Sequence, residues 1–97
     1  MSVKPLSDAE ITEALKDLDG WERAGDTITK TYQLSSYAQG LAFATAAGMM
    51  ADGQNHHPDM IIGYKKVTIS FTTHDSGNSI TRNDIEAARA INSIPLR

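Results

Sequence analysis

Met60-Ile61-Ile62-Gly63-Tyr64-Lys65-Lys66-Val67-Thr68-Ile69-Ser70-Phe71-Thr72-Thr73 is the stretch whose reading decides the fold. Two β-rich segments, Met60 to Tyr64 and Val67 to Thr73, meet at a basic pair, so a hairpin is expected with its turn near Lys65-Lys66. In the second segment Val67, Ile69 and Phe71 share one face, while Thr68, Ser70 and Thr72 share the other. That is the period of a strand covered on one side only. If the alternation continues, His74 falls at the strand end on the threonine face, away from the covered side.

Upstream, Ser36 to Gln39 has the form of a capping box, and a helix is expected from about Tyr37 to Asp52. No charged residue occurs between Lys30 and Asp52. Leu41, Phe43, Ala44, Ala46, Ala47, Met49 and Met50 surround the helix axis instead of forming one stripe, which predicts burial on more than one side. The sheet can cover one side, so a partner helix is expected on another. A membrane span is rejected, because Gln39, Thr45 and two glycines dilute a segment already short of the ~20 apolar residues required.

Farther toward the N-terminus, Ser7-Asp8-Ala9-Glu10 reads as a capping box opening a helix that carries Ile11, Ala14, Leu15 and Leu18 and stops at Asp19-Gly20. Trp21-Glu22-Arg23 starts a strand, Ala24-Gly25-Asp26 turns, and Thr27 to Leu34 returns. Lys30 interrupts the apolar face of that strand, as an edge position or a snorkelling stem would. Downstream, Gly53 to Pro58 has loop composition and Asp75-Ser76-Gly77-Asn78 is a turn. Thr81 caps a last helix bearing Ile85, Ala88 and Ile91, which frays near Pro95. The order α-β-β-α-β-β-α predicts one α+β domain over residues 1–97: a four-stranded antiparallel sheet with helices packed on one face.

Composition removes several function classes. The formal charge is -3 and lysine or arginine never runs beyond Lys65-Lys66, which argues against a nucleic-acid binder working by phosphate neutralisation. Without cysteine, disulfides, thiol nucleophiles and thiolate metal sites are excluded. Met1 to Glu10 shows no apolar signal region, so a cytoplasmic location is expected.

All three histidines lie between positions 56 and 74. Imidazole is the side chain whose ordinary pKa, roughly 6.5, lets it exchange protons near neutrality. His56-His57-Pro58 and His74 around one cleft therefore point to proton transfer. Pro58 restricts His57 to extended backbone and stiffens the loop. Three histidines also allow a zinc reading, but no helical His-x-x-x-His pair is present and no metal is expected. Trp21 reads as core rather than a stacking platform.

The run Asn55-His56-His57-Pro58-Asp59, with Tyr64, Thr73-His74-Asp75 and Asp84, closely resembles the pterin-4a-carbinolamine dehydratases, over about Trp21 to Ile91. The resemblance implies dehydration of 4a-hydroxytetrahydropterin to quinonoid dihydropterin, which recycles a tetrahydropterin cofactor and needs no cofactor of its own. By motif position His56 and His74 look like the acid-base residues and His57 like the main substrate-binding histidine, with Asp52, Pro58 and Asp84 as further substrate-binding positions. It also implies a homodimer or homotetramer with sheets joined edge to edge and the second helices bundled. Departures are Asn55 in place of aspartate, Met60 where an aromatic or branched residue is usual, and an Asp75 to Thr81 connection one residue longer. The family also implies an alternative, a non-catalytic binding, assembly or coactivator-like protein on the same fold; retention of His56, His57 and His74 favours catalysis.

Overall fold

The structure, a computed structural model, describes residues 3–95, so the expected 1–97 domain extends past the described residues at both ends. Helix α1 spans Asp8–Leu15, strands β1 and β2 span Glu22–Ala24 and Thr27–Gln33, and helix α2 spans Tyr37–Gly53. Strands β3 and β4 follow at Asp59–Gly63 and Lys66–Phe71, then a 3-10 turn at His74–Ser76 and helix α3 at Arg82–Asn92. The four strands form one antiparallel sheet in the order β1-β2-β4-β3. The expected α+β class and element order are those observed.

The alternation read in β4 orients the sheet. Val67, Ile69 and Phe71 are buried and join Ile28, Tyr32, Phe43, Ala44, Ala47, Ile85, Ala88 and Ile91 in one core. The other face is a hydroxyl ladder, in which Thr31 pairs with Thr68 at 2.8 Å and Ser70 donates to Thr29 at 2.9 Å. The hairpin turn is Tyr64-Lys65, one residue earlier than expected, since Gly63 pairs with Lys66. Strand β3 begins at Asp59, one residue before the expected start at Met60.

Several boundaries differ from the sequence reading. Helix α1 ends at Leu15 because the following amides reach back only three residues, from Lys16 to Glu13 and from Leu18 to Leu15. That tighter turn still buries Leu18. The Ser7–Glu10 capping box forms, and hydrogen bonds from the Ser7 backbone and hydroxyl hold the Glu10 carboxyl below its usual range. Trp21 precedes β1, and Ala24 pairs with Thr27, which leaves a two-residue loop at Gly25-Asp26. Gly25 takes φ +63, backbone that glycine adopts without steric cost.

Lys30 sits on a central strand, which removes the edge explanation. Its ammonium lies over the Tyr32 ring, 4.4 Å from the centroid, and donates to the Asp19 carbonyl at 2.7 Å and to Asn92 Oδ1 at 2.9 Å. The same Asn92 oxygen accepts from Trp21 Nε1 and the Tyr32 hydroxyl. Trp21 is buried among Tyr32 and Phe71, as core.

Helix α2 starts at Ser36, whose hydroxyl accepts from the Gln39 amide. Gly40, Phe43, Ala44, Ala47 and Ala51 face the sheet. Leu41, Met49 and Met50 lie outside that face and are exposed, as are Ile61, Ile62 and Tyr64 on and beside the edge strand β3. No helix among the described residues is long and apolar enough to cross a membrane.

Candidate active site

The C-terminus of α2 aims the histidine pair. Asn55 takes φ 55, its amide donates to the Asp52 carbonyl, and the His56 amide reaches back to Ala51. These two bonds are a Schellman closure with asparagine at the left-handed position, a place where asparagine and glycine are favoured. Asparagine at position 55 therefore has a backbone reason independent of chemistry.

His56 turns inward from that corner. Its ring stacks on Phe71, with centroids 5.5 Å apart and planes 8° from parallel, and its side chain is 12% exposed. Nε2 lies 2.5 Å from Asp84 Oδ1. Asp84 is fully buried, and its Oδ2 accepts from the Thr81 amide and the Thr73 hydroxyl, each at 2.8 Å. Thr81 and Asp84 form the capping box of α3. Because Thr73 gives its proton to Asp84, the 2.7 Å contact between the two threonine hydroxyls must run from Thr81 to Thr73. One cooperative chain thus ends on the carboxylate that holds His56.

The other two rings are held in the open. His57 Nε2 lies 2.8 Å from Asp52 Oδ1, with both side chains mostly exposed. His74 Nδ1 lies 2.7 Å from Asn78 Oδ1. His74 does not end a strand as expected: β4 stops at Phe71, and His74 opens the 3-10 turn that follows. The physical cause is the Thr73↔Ser79 bridge, which folds the chain back on itself there.

A cleft of about 300 Å³ is lined by Asn55, His56, His57, Thr72, Thr73, His74, Asp75 and Asn83. All three histidines meet in it, and its size is at the lower end for small-molecule sites. Asp52 and Pro58 are not among its lining residues; Asp52 reaches it through His57. Asp84 is not among the lining residues either; its buried carboxylate engages Thr73, Thr81 and His56. Thr72, Asn78 and Asn83 were not singled out as site residues in the sequence reading, since polar residues near turns carry no distinctive signal. Among the described residues, no three histidine, aspartate or glutamate side chains converge as a metal site would require.

The fold and site together define a class of small α+β proteins with a histidine-lined cleft beside the sheet. Residues 4–94 match the sequence profile of the family described as pterin 4 alpha carbinolamine dehydratase. A Roseiflexus sp. (strain RS-1) protein named "Putative pterin-4-alpha-carbinolamine dehydratase" is 47% identical over 92% of this chain and 95% of its own. A Nitrosospira multiformis protein of the same name is 37% identical over 96% of this chain and 81% of its own. The crystal structure of a transcriptional coactivator/pterin dehydratase from Brucella melitensis superposes with a TM-score of 0.86 at 32% identity, covering 93% of this chain and 97% of that one. A pterin dehydratase-like RuBisCO assembly factor of the alpha-carboxysome shares the fold alone, with a TM-score of 0.59 and 20% identity over 75% of this chain and 83% of its own. This chain belongs to the pterin-4a-carbinolamine dehydratase family.

Proposed function

We propose that this protein dehydrates 4a-hydroxytetrahydropterin to quinonoid dihydropterin, with His56 and His74 as the acid-base pair and His57 as a substrate-binding residue. The carrying observation is that all three imidazoles line one cleft, each with one ring nitrogen fixed by an oxygen acceptor. The chemistry balances without a cofactor. The C4a–O bond breaks as one imidazole protonates the departing oxygen, releasing water. The other removes the N5 proton, and the N5 electrons form the new N5=C4a double bond. General acid-base catalysis of this kind contributes ~10²–10⁴-fold.

Asp84 is read here as a positioning residue. Its carboxylate fixes the His56 ring from behind, and Phe71 fixes its plane. Dehydration of synthetic 4a-hydroxytetrahydropterin, followed spectroscopically, tests the reading. The His56→Ala/His74→Ala double variant should lose ~10²-fold or more in kcat. A folded wild-type protein without activity would instead favour the non-catalytic alternative.

We also propose that the chain works as a homodimer or homotetramer. Exposed Leu41, Met49 and Met50 on α2, with Ile61 and Ile62 on the edge strand β3, support it, since patches and edges of this kind are normally covered. Light scattering of Met49→Glu should show a smaller assembly than wild type; an unchanged mass would remove α2 from the interface.

A further inference from the structure

We propose that Asn78 is a positioning residue for His74: it fixes the ring as the Nδ1–H tautomer, so that Nε2 is the nitrogen that exchanges a proton with the bound pterin. The inference rests on the dehydratase reading above and goes one step deeper, to the atom that handles the proton.

The loop that carries both residues is closed at its base. Thr73 and Ser79 pair through both backbone bonds, Thr73 N to Ser79 O at 2.9 Å and Ser79 N to Thr73 O at 3.3 Å. Inside that bridge the Gly77 amide donates to the His74 carbonyl, and the Ser79 hydroxyl donates to the Ser76 carbonyl at 2.8 Å. The Ser76 hydroxyl ties the turn to the Val3 carbonyl. Two consecutive residues, Gly77 and Asn78, then take positive φ, 73 and 58.

That backbone narrows the choice at position 78. Among side chains, asparagine and aspartate tolerate the left-handed region best, and glycine takes it freely. Of these, glycine carries no acceptor. Asparagine supplies an oxygen that can only accept, 2.7 Å from His74 Nδ1. The hydrogen bond made by one imidazole nitrogen sets which nitrogen is protonated. Nδ1 therefore carries the proton and Nε2 presents its lone pair, on a ring that lines the cleft.

The test compares wild type with Asn78→Gly, which keeps the left-handed backbone and deletes the acceptor, and Asn78→Asp, which keeps both. Imidazole ¹⁵N NMR reads the His74 tautomer, and dehydration of synthetic 4a-hydroxytetrahydropterin gives kcat and KM. The expected result is Nδ1–H in wild type and Asn78→Asp. Asn78→Gly should move the signal toward Nε2–H and lower kcat roughly tenfold, a fraction of the general acid-base factor, with KM little changed. Wild-type protein showing Nε2–H, or Asn78→Gly leaving both tautomer and kcat unaltered while His74→Ala abolishes turnover, overturns the proposal alone. Full turnover by His74→Ala overturns the role of His74 itself, and with it the catalytic part of this inference.

Discussion

The two sides of the cleft hold their imidazoles by opposite means. His56 is backed by a buried, charge-capable carboxylate at the end of a two-residue hydroxyl chain, and stacked on a core aromatic. His74 is held by a neutral amide on an exposed turn. The first arrangement is inseparable from the fold, because Asp84 also caps α3. The second is local and replaceable. One cleft thus combines a rigid wall, built from long-range packing, with an adjustable one built from a short loop.

Deleting Asp84 breaks that contrast most severely. Asp84→Ala strands the Thr81 amide and the Thr73 hydroxyl, both buried, and removes the capping box. The cost should be ~2–4 kcal/mol, read as a lowered urea midpoint at unchanged m-value. Thr73→Val, which withdraws one donor from Asp84 but leaves the cap, should cost about 1 kcal/mol. Asn78→Gly on the opposite wall should stay within about 0.5 kcal/mol. Equal losses on the two walls would erase the distinction between them.

A second, part-buried polar cluster, at Asn92, sharpens the comparison because none of its members lines the histidine cleft. Burial pushes the Tyr32 phenol up to about 12, outweighing the lowering hydrogen bond from Trp21. The folded state therefore keeps that proton to higher pH than the unfolded chain, whose phenol titrates near 10. Stability from this group is intact below pH 10 and is lost as pH rises from about 10 to 12. Relative to Tyr32→Phe, wild type should lose on the order of 2 kcal/mol across that window in chemical denaturation. A constant difference between the two proteins would remove Tyr32 as the source. The phenylalanine variant leaves Trp21 and Lys30 donating to Asn92, so the cluster itself survives.

Sequence pattern exposed what is periodic or local. The β4 alternation placed Val67, Ile69 and Phe71 on the core face, and Thr81 was legible as the residue that caps α3. The cluster of histidines likewise marked where the cleft lies. Contacts between distant elements stayed hidden. Nothing near Asp84 indicates that its carboxylate meets His56, since that encounter depends on the left-handed turn at Asn55 and on β4 delivering Thr73 beneath it. Leu18 fell outside α1 for a related reason: its apolar spacing suits a helix, but its burial is reached through a tighter turn. His74 and Asn78 are close in sequence, yet their pairing needs a loop conformation that composition does not specify.

The smallest expected effect falls on His57, which separates exposure from importance. Asp52 sits in the last turn of α2, where the carbonyl end of the helix disfavours a negative charge. Its bond to His57 lies between two largely exposed side chains and is worth little to stability. Asp52→Asn removes the unfavourable charge but keeps an oxygen for His57, so the unfolding free energy should change by no more than about 0.5 kcal/mol. If His57 orients substrate, as proposed, its looser tether should appear as a higher KM at nearly constant kcat, because a binding interaction common to ground and transition states leaves the chemical step alone. A fall in kcat without a change in KM would move His57 from binding to proton transfer.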